Sequence, residues 1–236
     1  MSINSSMILS FYKEIAQLGS GSKFSVVQNT EDGKIYIKKQ LSTYDLRIFE
    51  ELKEHPVPGI PRICALHEEY DILYAVEEYV SGFTVEETLL SNGAMPEPLA
   101  INYIRKLTEI VRRLHSFNPP IIHRDIKPEN VMITSAGNIY LLDLNVSKFE
   151  DRSKKTDTRL LGTVGYAAPE QYGFGSSDVR TDIYGIGILL KTMLTNGDSN
   201  FVIQKKTDAF IKKCTDLNPE RRFQNIELVI NSLRRL

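Results

Sequence analysis

His123-Arg124-Asp125-Ile126-Lys127-Pro128-Glu129-Asn130 is the stretch on which the reading of this chain turns. It crowds charged and amide side chains into eight positions and sits inside a β-rich patch, Ile121 to Val146. Val131-Met132-Ile133 and Ile139-Tyr140-Leu141-Leu142 read as the two arms of a hairpin around Gly137-Asn138. Upstream, residues 11–82 read mostly as short strands: Phe11 to Leu18, Phe24 to Gln28, Lys34 to Leu41, Arg62 to His67 and Ile72 to Val80. One helix, over about 44–54, interrupts them. Ser42 or Thr43 is its expected cap, and Ile48, Phe49 and Leu52 its apolar face. Beyond residue 83 the pattern turns helical, with Ile101, Ile104, Leu107, Ile110, Val111 and Leu114 at helical spacing between Pro96 and Ser116. Further helices are predicted at Asp182 to Leu194, about 206–216 and 225–236. Strands first and helices later give an α+β chain: a small sheet-rich lobe, then a larger helical one.

The chain has 236 residues, 42% of them hydrophobic, enough for one large domain or two small lobes. Its 29 Lys and Arg against 30 Asp and Glu leave a net charge of -1, so neither nucleic acid nor an anionic membrane is expected as a partner. The two cysteines, Cys64 and Cys214, form no C-x-x-C pair and read as reduced thiols. Met1 to Ser10 lacks the pattern of a signal peptide. Ile183 to Leu194 is short and interrupted by Lys191, so it reads as a core helix and not a membrane span. A cytoplasmic location is the expectation, with the oligomeric state open.

The loop at 123–130 resembles the catalytic loop of protein kinases, H-R-D-x-x-x-x-N. The resemblance implies that Asp125 accepts the proton of an acceptor hydroxyl, that Asn130 holds a metal ion through its amide oxygen, and that Lys127 neutralises charge on the transferred group. A lysine two residues after the Asp is the serine/threonine form of the family. Asp143, thirteen residues after Asn130, matches the Asp of D-F-G, with Leu144 and Asn145 in place of Phe and Gly. Gly162 to Glu170, which includes Thr163, resembles the end of an activation segment, with A-P-E at 168–170. The resemblance pairs Glu170 with Arg222, and it makes Asp182 the residue that orients the backbone of His123 and Arg124.

Gly19-Ser20-Gly21-Ser22-Lys23-Phe24-Ser25-Val26-Val27 resembles the glycine-rich phosphate loop, without its third glycine. Gly19, Gly21 and Val27 are its expected nucleotide contacts. The ATP-anchoring lysine lies on Ile35 to Leu41. Lys39 is favoured, because Ile37, two residues before it, is easier to fit against adenine than Tyr36; Lys38 is the alternative. A helix carboxylate to hold this lysine is not assigned: Asp45 lies on the apolar face but close to the strand, and Glu50 and Glu51 lie off that face. The resemblance places adenine between the lobes, against the backbone of Glu78 and Val80 and above Met132. Glu77, just before this linker, stands where an apolar residue is common, so its carboxylate needs a partner.

The resemblance covers roughly residues 12–235, after an N-terminal extension over 1–11. It implies an N-lobe at about 12–79, a hinge at about 78–82 and a C-lobe at about 83–235. It further implies ATP and Mg²⁺ as cofactors, with Mn²⁺ an alternative, and proteins bearing Ser or Thr as substrates. Phosphorylation of Thr156 or Thr158 is expected to raise activity by ordering a loop near Arg124 and Lys148. The competing reading is a pseudokinase that binds nucleotide or a partner without turnover.

Overall fold

The structure, a computed structural model, describes residues 5–18, 23–151, 153, 163–173, 175–198 and 200–236. The chain divides into two compact units, residues 1–81 and 82–236.

The first unit begins with a short helix, α1 (Ser5–Leu9), and is built on β1 (Tyr12–Gln17), β2 (Phe24–Asn29), β3 (Ile35–Leu41), β4 (Ile63–Glu69) and β5 (Ile72–Glu78). These form one antiparallel sheet in the order β1-β2-β3-β5-β4. The register decides which side chains can meet, because residues directly opposite share a face. Lys39 lies opposite Phe24 and Ala75, and Ile37 opposite Val26 and Glu77. The other face carries Val27, Tyr36 and Val76. There Val27, Val76 and Ala65 form a core against Tyr12, Cys64 and the α1 residues Ile8 and Leu9.

Helix α2 (Leu46–Glu54) packs on β4 and buries Ile48, Phe49 and Leu52. Its cap is Asp45, whose carboxylate accepts the Arg47 N–H, rather than Ser42 or Thr43. The helix starts at Leu46, so a Ser or Thr three or four residues earlier is out of reach of the first free N–H groups.

The second unit opens with β6 (Phe83–Thr84) and α3 (Val85–Asn92), which Thr84 and Glu87 cap reciprocally. Gly82 just before them is required: a Cβ there would collide with the Ile133 carbonyl. Helix α4 (Glu97–His115) buries Ile101, Ile104, Leu107, Ile110, Val111 and Leu114 at the predicted helical spacing. Next come β7 (Ile121–Ile122), β8 (Val131–Ile133), β9 (Ile139–Leu141) and β10 (Lys148–Phe149). Strands β8 and β9 form the predicted hairpin, Val131 opposite Leu141 and Ile133 opposite Ile139, with β6 on its other edge. Helix α5 (Val179–Thr195) is buried along nearly its whole length and packs on α4 and on α6 (Lys205–Cys214), while α7 (Ile226–Leu233) closes on α4. Helix α5 starts three residues before the predicted Asp182, since Asp178 caps it through the Arg180 N–H. Among the described residues, no helix is long and apolar enough to cross a membrane.

Candidate active site

Asp125 is the hub of the second unit's polar cluster. Its Oδ2 lies 2.8 Å from the Lys127 ammonium and accepts a 2.8 Å hydrogen bond from the Asn130 amide. Its Oδ1 accepts the Thr163 hydroxyl at 3.0 Å, and Lys127 donates to that same hydroxyl at 2.8 Å. One carboxylate thus organises three side chains. A short 3₁₀ turn, Pro128–Asn130, brings Asn130 back over Asp125, and the amide also donates to the Asp125 carbonyl at 2.9 Å. The position of Thr163, thirty-eight residues on, was not legible as a contact: a threonine in a loop carries no periodic signal.

Both Asn130 N–H groups are therefore spent on Asp125, which leaves the amide oxygen, the atom a hard cation takes. The hairpin delivers the second donor. Val131 pairs with Leu141, and the Leu142 N–H donates to the Asn130 carbonyl at 2.8 Å, so Asp143 follows directly on the residue bonded to Asn130. Asp143 has a left-handed backbone (φ 62°), and its Oδ1 accepts the Asn145 N–H at 3.2 Å. One carboxylate and one amide oxygen are a sparse set for a cation. Such a sparse set fits a divalent ion that keeps most of its water shell. Among the described residues, no group of three or more His, Cys, Asp and Glu could hold a metal by itself.

Beneath the loop, Asp182 is fully buried at the start of α5. Its Oδ2 accepts the His123 N–H at 3.0 Å and meets His115 Nε2 at 2.8 Å, and its Oδ1 accepts the Arg124 N–H at 2.8 Å. Burial opposes the charge, yet the bond to His115, the nearby His123 and the Arg124 N–H together hold the Asp182 carboxyl below the ordinary carboxylate range. Arg124 takes a positive φ of 71° here, so the turn is held by these contacts. The His123 ring Nε2 lies 3.0 Å from the Leu142 carbonyl and so ties the loop to the residue before Asp143.

Glu170 and Arg222 meet as a buried bidentate pair at 2.7 and 2.9 Å. The Thr181 hydroxyl donates to Glu170 at 2.9 Å, and the Arg222 guanidinium lies 4.8 Å from the Tyr184 ring centre. Gln171 donates to the Arg124 carbonyl at 2.8 Å and fastens the segment to the loop. His115, Gln171 and Thr181 were not anticipated; each acts through a tertiary contact with no local sequence signature.

In the first unit, Lys39 is buried and paired with Glu77 at 2.7 Å. This supplies the partner that Glu77 needs. Lys38 projects to the opposite face and pairs with Glu14 at 3.6 Å. Val27 requires a correction: it lies on the face away from Lys39, wholly buried against the α1 side, and Val26 takes the place beside Ile37. The cause is the period of two in a strand, where a one-residue offset turns every side chain over. Asp45 is committed to its cap and to Arg47, Glu50 is exposed, and Glu51 lies 3.8 Å from His55. Glu78 ends β5 and gives its N–H to the Arg62 carbonyl at 2.9 Å, Val80 follows the strand, and Met132 lies in β8 of the second unit. Gly19, Gly21, Thr156 and Thr158 lie outside the described residues.

The chain is thus an α+β protein whose D-x-K-x-x-N loop is seated on a buried Asp and followed by a hairpin with Asp143 just beyond its second strand. Residues 12–225 match the family described as the protein kinase domain, and the chain belongs to that family. It is 37% identical over 139 residues to the serine/threonine-protein kinase PrkC of Bacillus subtilis, covering 58% of this chain and 21% of that protein. It is 31% identical over 229 residues to the probable serine/threonine-protein kinase PknB of Lactococcus lactis, covering 89% of this chain and 36% of that one. A probable serine/threonine-protein kinase of Clostridium perfringens is 29% identical over 204 residues, 76% of this chain and 30% of its own length. The chain thus spans little more than a third, or less, of the curated relatives it matches.

Proposed function

We propose that this chain transfers the γ-phosphoryl group of ATP to serine or threonine hydroxyls of proteins. The observation that carries the reading is the Asp125 carboxylate held by Lys127, Asn130 and Thr163, all at 3.0 Å or less. Asp125 orients the acceptor hydroxyl and takes its proton. Lys127, bonded to Asp125, lays its positive charge beside the oxygen that attacks. Asn130 and Asp143 would hold Mg²⁺, with Mn²⁺ the alternative, and the ion would supply charge neutralisation for the phosphates. Lys39 would anchor ATP, with Val26 rather than Val27 on its face. Two free thiols, Cys64 and Cys214, suit a reducing, cytoplasmic setting.

Regulation through the activation segment belongs to the same reading: phosphate on Thr156 or Thr158 raises activity. Mass spectrometry of active protein checks this, and full activity with both threonines unmodified overturns it. The main test is incubation of the purified chain with labelled ATP, Mg²⁺ and casein, beside Asp125→Ala and Asp143→Ala. Label transferred by the wild type alone supports the reading, and transfer undiminished in Asp125→Ala refutes it.

A further inference from the structure

In the family to which the chain belongs, the nucleotide-anchoring lysine is held by a glutamate on the helix that follows its strand. Here α2 offers none. It is a nine-residue helix whose buried stripe, Ile48, Phe49 and Leu52, is wholly apolar. Its Asp45 is its own cap and is clasped by the Arg47 guanidinium at 2.9 and 2.5 Å. Glu50 and Glu54 are exposed.

A buried ammonium still needs a counter-charge. The sheet supplies it. Glu77 stands on β5 opposite Ile37, one diagonal step from Lys39, which faces Ala75. That diagonal is within reach of long side chains on one face of an antiparallel pair. The Lys39 and Glu77 side chains, 11% and 5% exposed, meet at 2.7 Å. Glu77 Oε1 is buried without a hydrogen-bond partner among the described residues, so the carboxylate is committed to Lys39 through a single oxygen.

We propose that Glu77 is the positioning residue for Lys39, a strand carboxylate doing what a helix carboxylate does elsewhere in the family. The inference rests on the phosphoryl-transfer reading above. Both partners belong to adjacent strands whose ladder fixes their register, so the lysine is set without any carboxylate from α2. Activity is then indifferent to the acids of α2 and sensitive to Glu77.

The test uses the full chain with Mg-ATP and casein, and Glu77→Gln, Glu77→Asp, Asp45→Asn, Glu50→Gln, Glu51→Gln and Lys39→Met. Glu77→Gln is expected to lower kcat/KM for ATP about 10- to 100-fold, the scale of a misplaced reacting group. Glu77→Asp is expected to recover part of that loss, and each α2 variant to stay within about twofold of wild type. In the Lys39→Met background, Glu77→Gln should cause no further loss of ATP affinity, read with a fluorescent ATP analogue, because it then removes an unpaired carboxylate. Melting temperatures separate misfolding from mispositioning. An active wild type with Glu77→Gln its equal, or with Glu51→Gln or Asp45→Asn as damaging as Glu77→Gln, overturns the proposal. So does an additive loss of ATP binding in the double variant. A wild type that neither transfers phosphate nor binds ATP overturns the phosphoryl-transfer reading itself, an outcome distinct from those three.

Discussion

Asp125→Asn keeps the side chain's shape and removes its charge. Asn in its place can still accept from Thr163, but it cannot take a proton. Turnover is expected to fall about 10²- to 10⁴-fold, the usual contribution of a general base, while affinity for the ATP analogue stays within about threefold of wild type; a filter-binding assay and steady-state kinetics together read both. Thr163→Ala removes one of the partners that hold Asp125 and the hydroxyl that Lys127 donates to. A smaller loss is expected, on the order of tenfold in kcat, consistent with a hydrogen bond to a charged group. Thr163→Ser should restore most of it. At this scale the sequence was most readable where spacing carries the chemistry. Asp125, Lys127, Asn130 and Asp143 sit within nineteen residues; the loop joins the first three through their side chains, and the hairpin bonds Leu142, the neighbour of Asp143, to Asn130. It was least readable where a single strand offset decides: the sequence does not show that Val26, not Val27, shares the face of Lys39.

The 3.6-residue period of α4 and the two-residue period of β3 predict elements but not their ends, which depend on caps. Asp45 and Asp178 set the starts of α2 and α5, and neither start was read correctly from the apolar pattern alone. The activation-segment anchor is the interaction most exposed to test at this scale. Arg222→Ala would strand the Glu170 carboxylate beside Thr181 with no counter-charge. Breaking one side of such a pair costs about 3 to 5 kcal/mol, and denaturant titration should show a loss of that order. Glu170→Gln together with Arg222→Met should recover part of it, because the uncompensated charge is then gone.

Across the whole molecule, acid sensitivity should centre on Asp182. Its folded carboxyl titrates below the unfolded value of about 3.9. A depressed folded value favours the native state above the unfolded value, and that contribution is lost as pH falls through the folded one. The melting temperature is therefore expected to hold from pH 7 to about 5 and to drop steeply below about 4. Asp182→Asn should melt lower at pH 7 and lose less on acidification; a parallel acid drop in both proteins would assign the effect elsewhere. The helices that carry Asp182 and Cys214, α5 and α6, also give the chain a natural stopwatch. Cys214 sits wedged against Gly187 of α5, where an added Cβ would lie 2.5 Å from its own, and burial pushes its thiol well above the usual range. Cys64 is only half-buried. In an alkylation time course, Cys64 should label first and Cys214 only as fast as α5 and α6 part, so the lag between them times the breathing of the helical unit without any introduced probe.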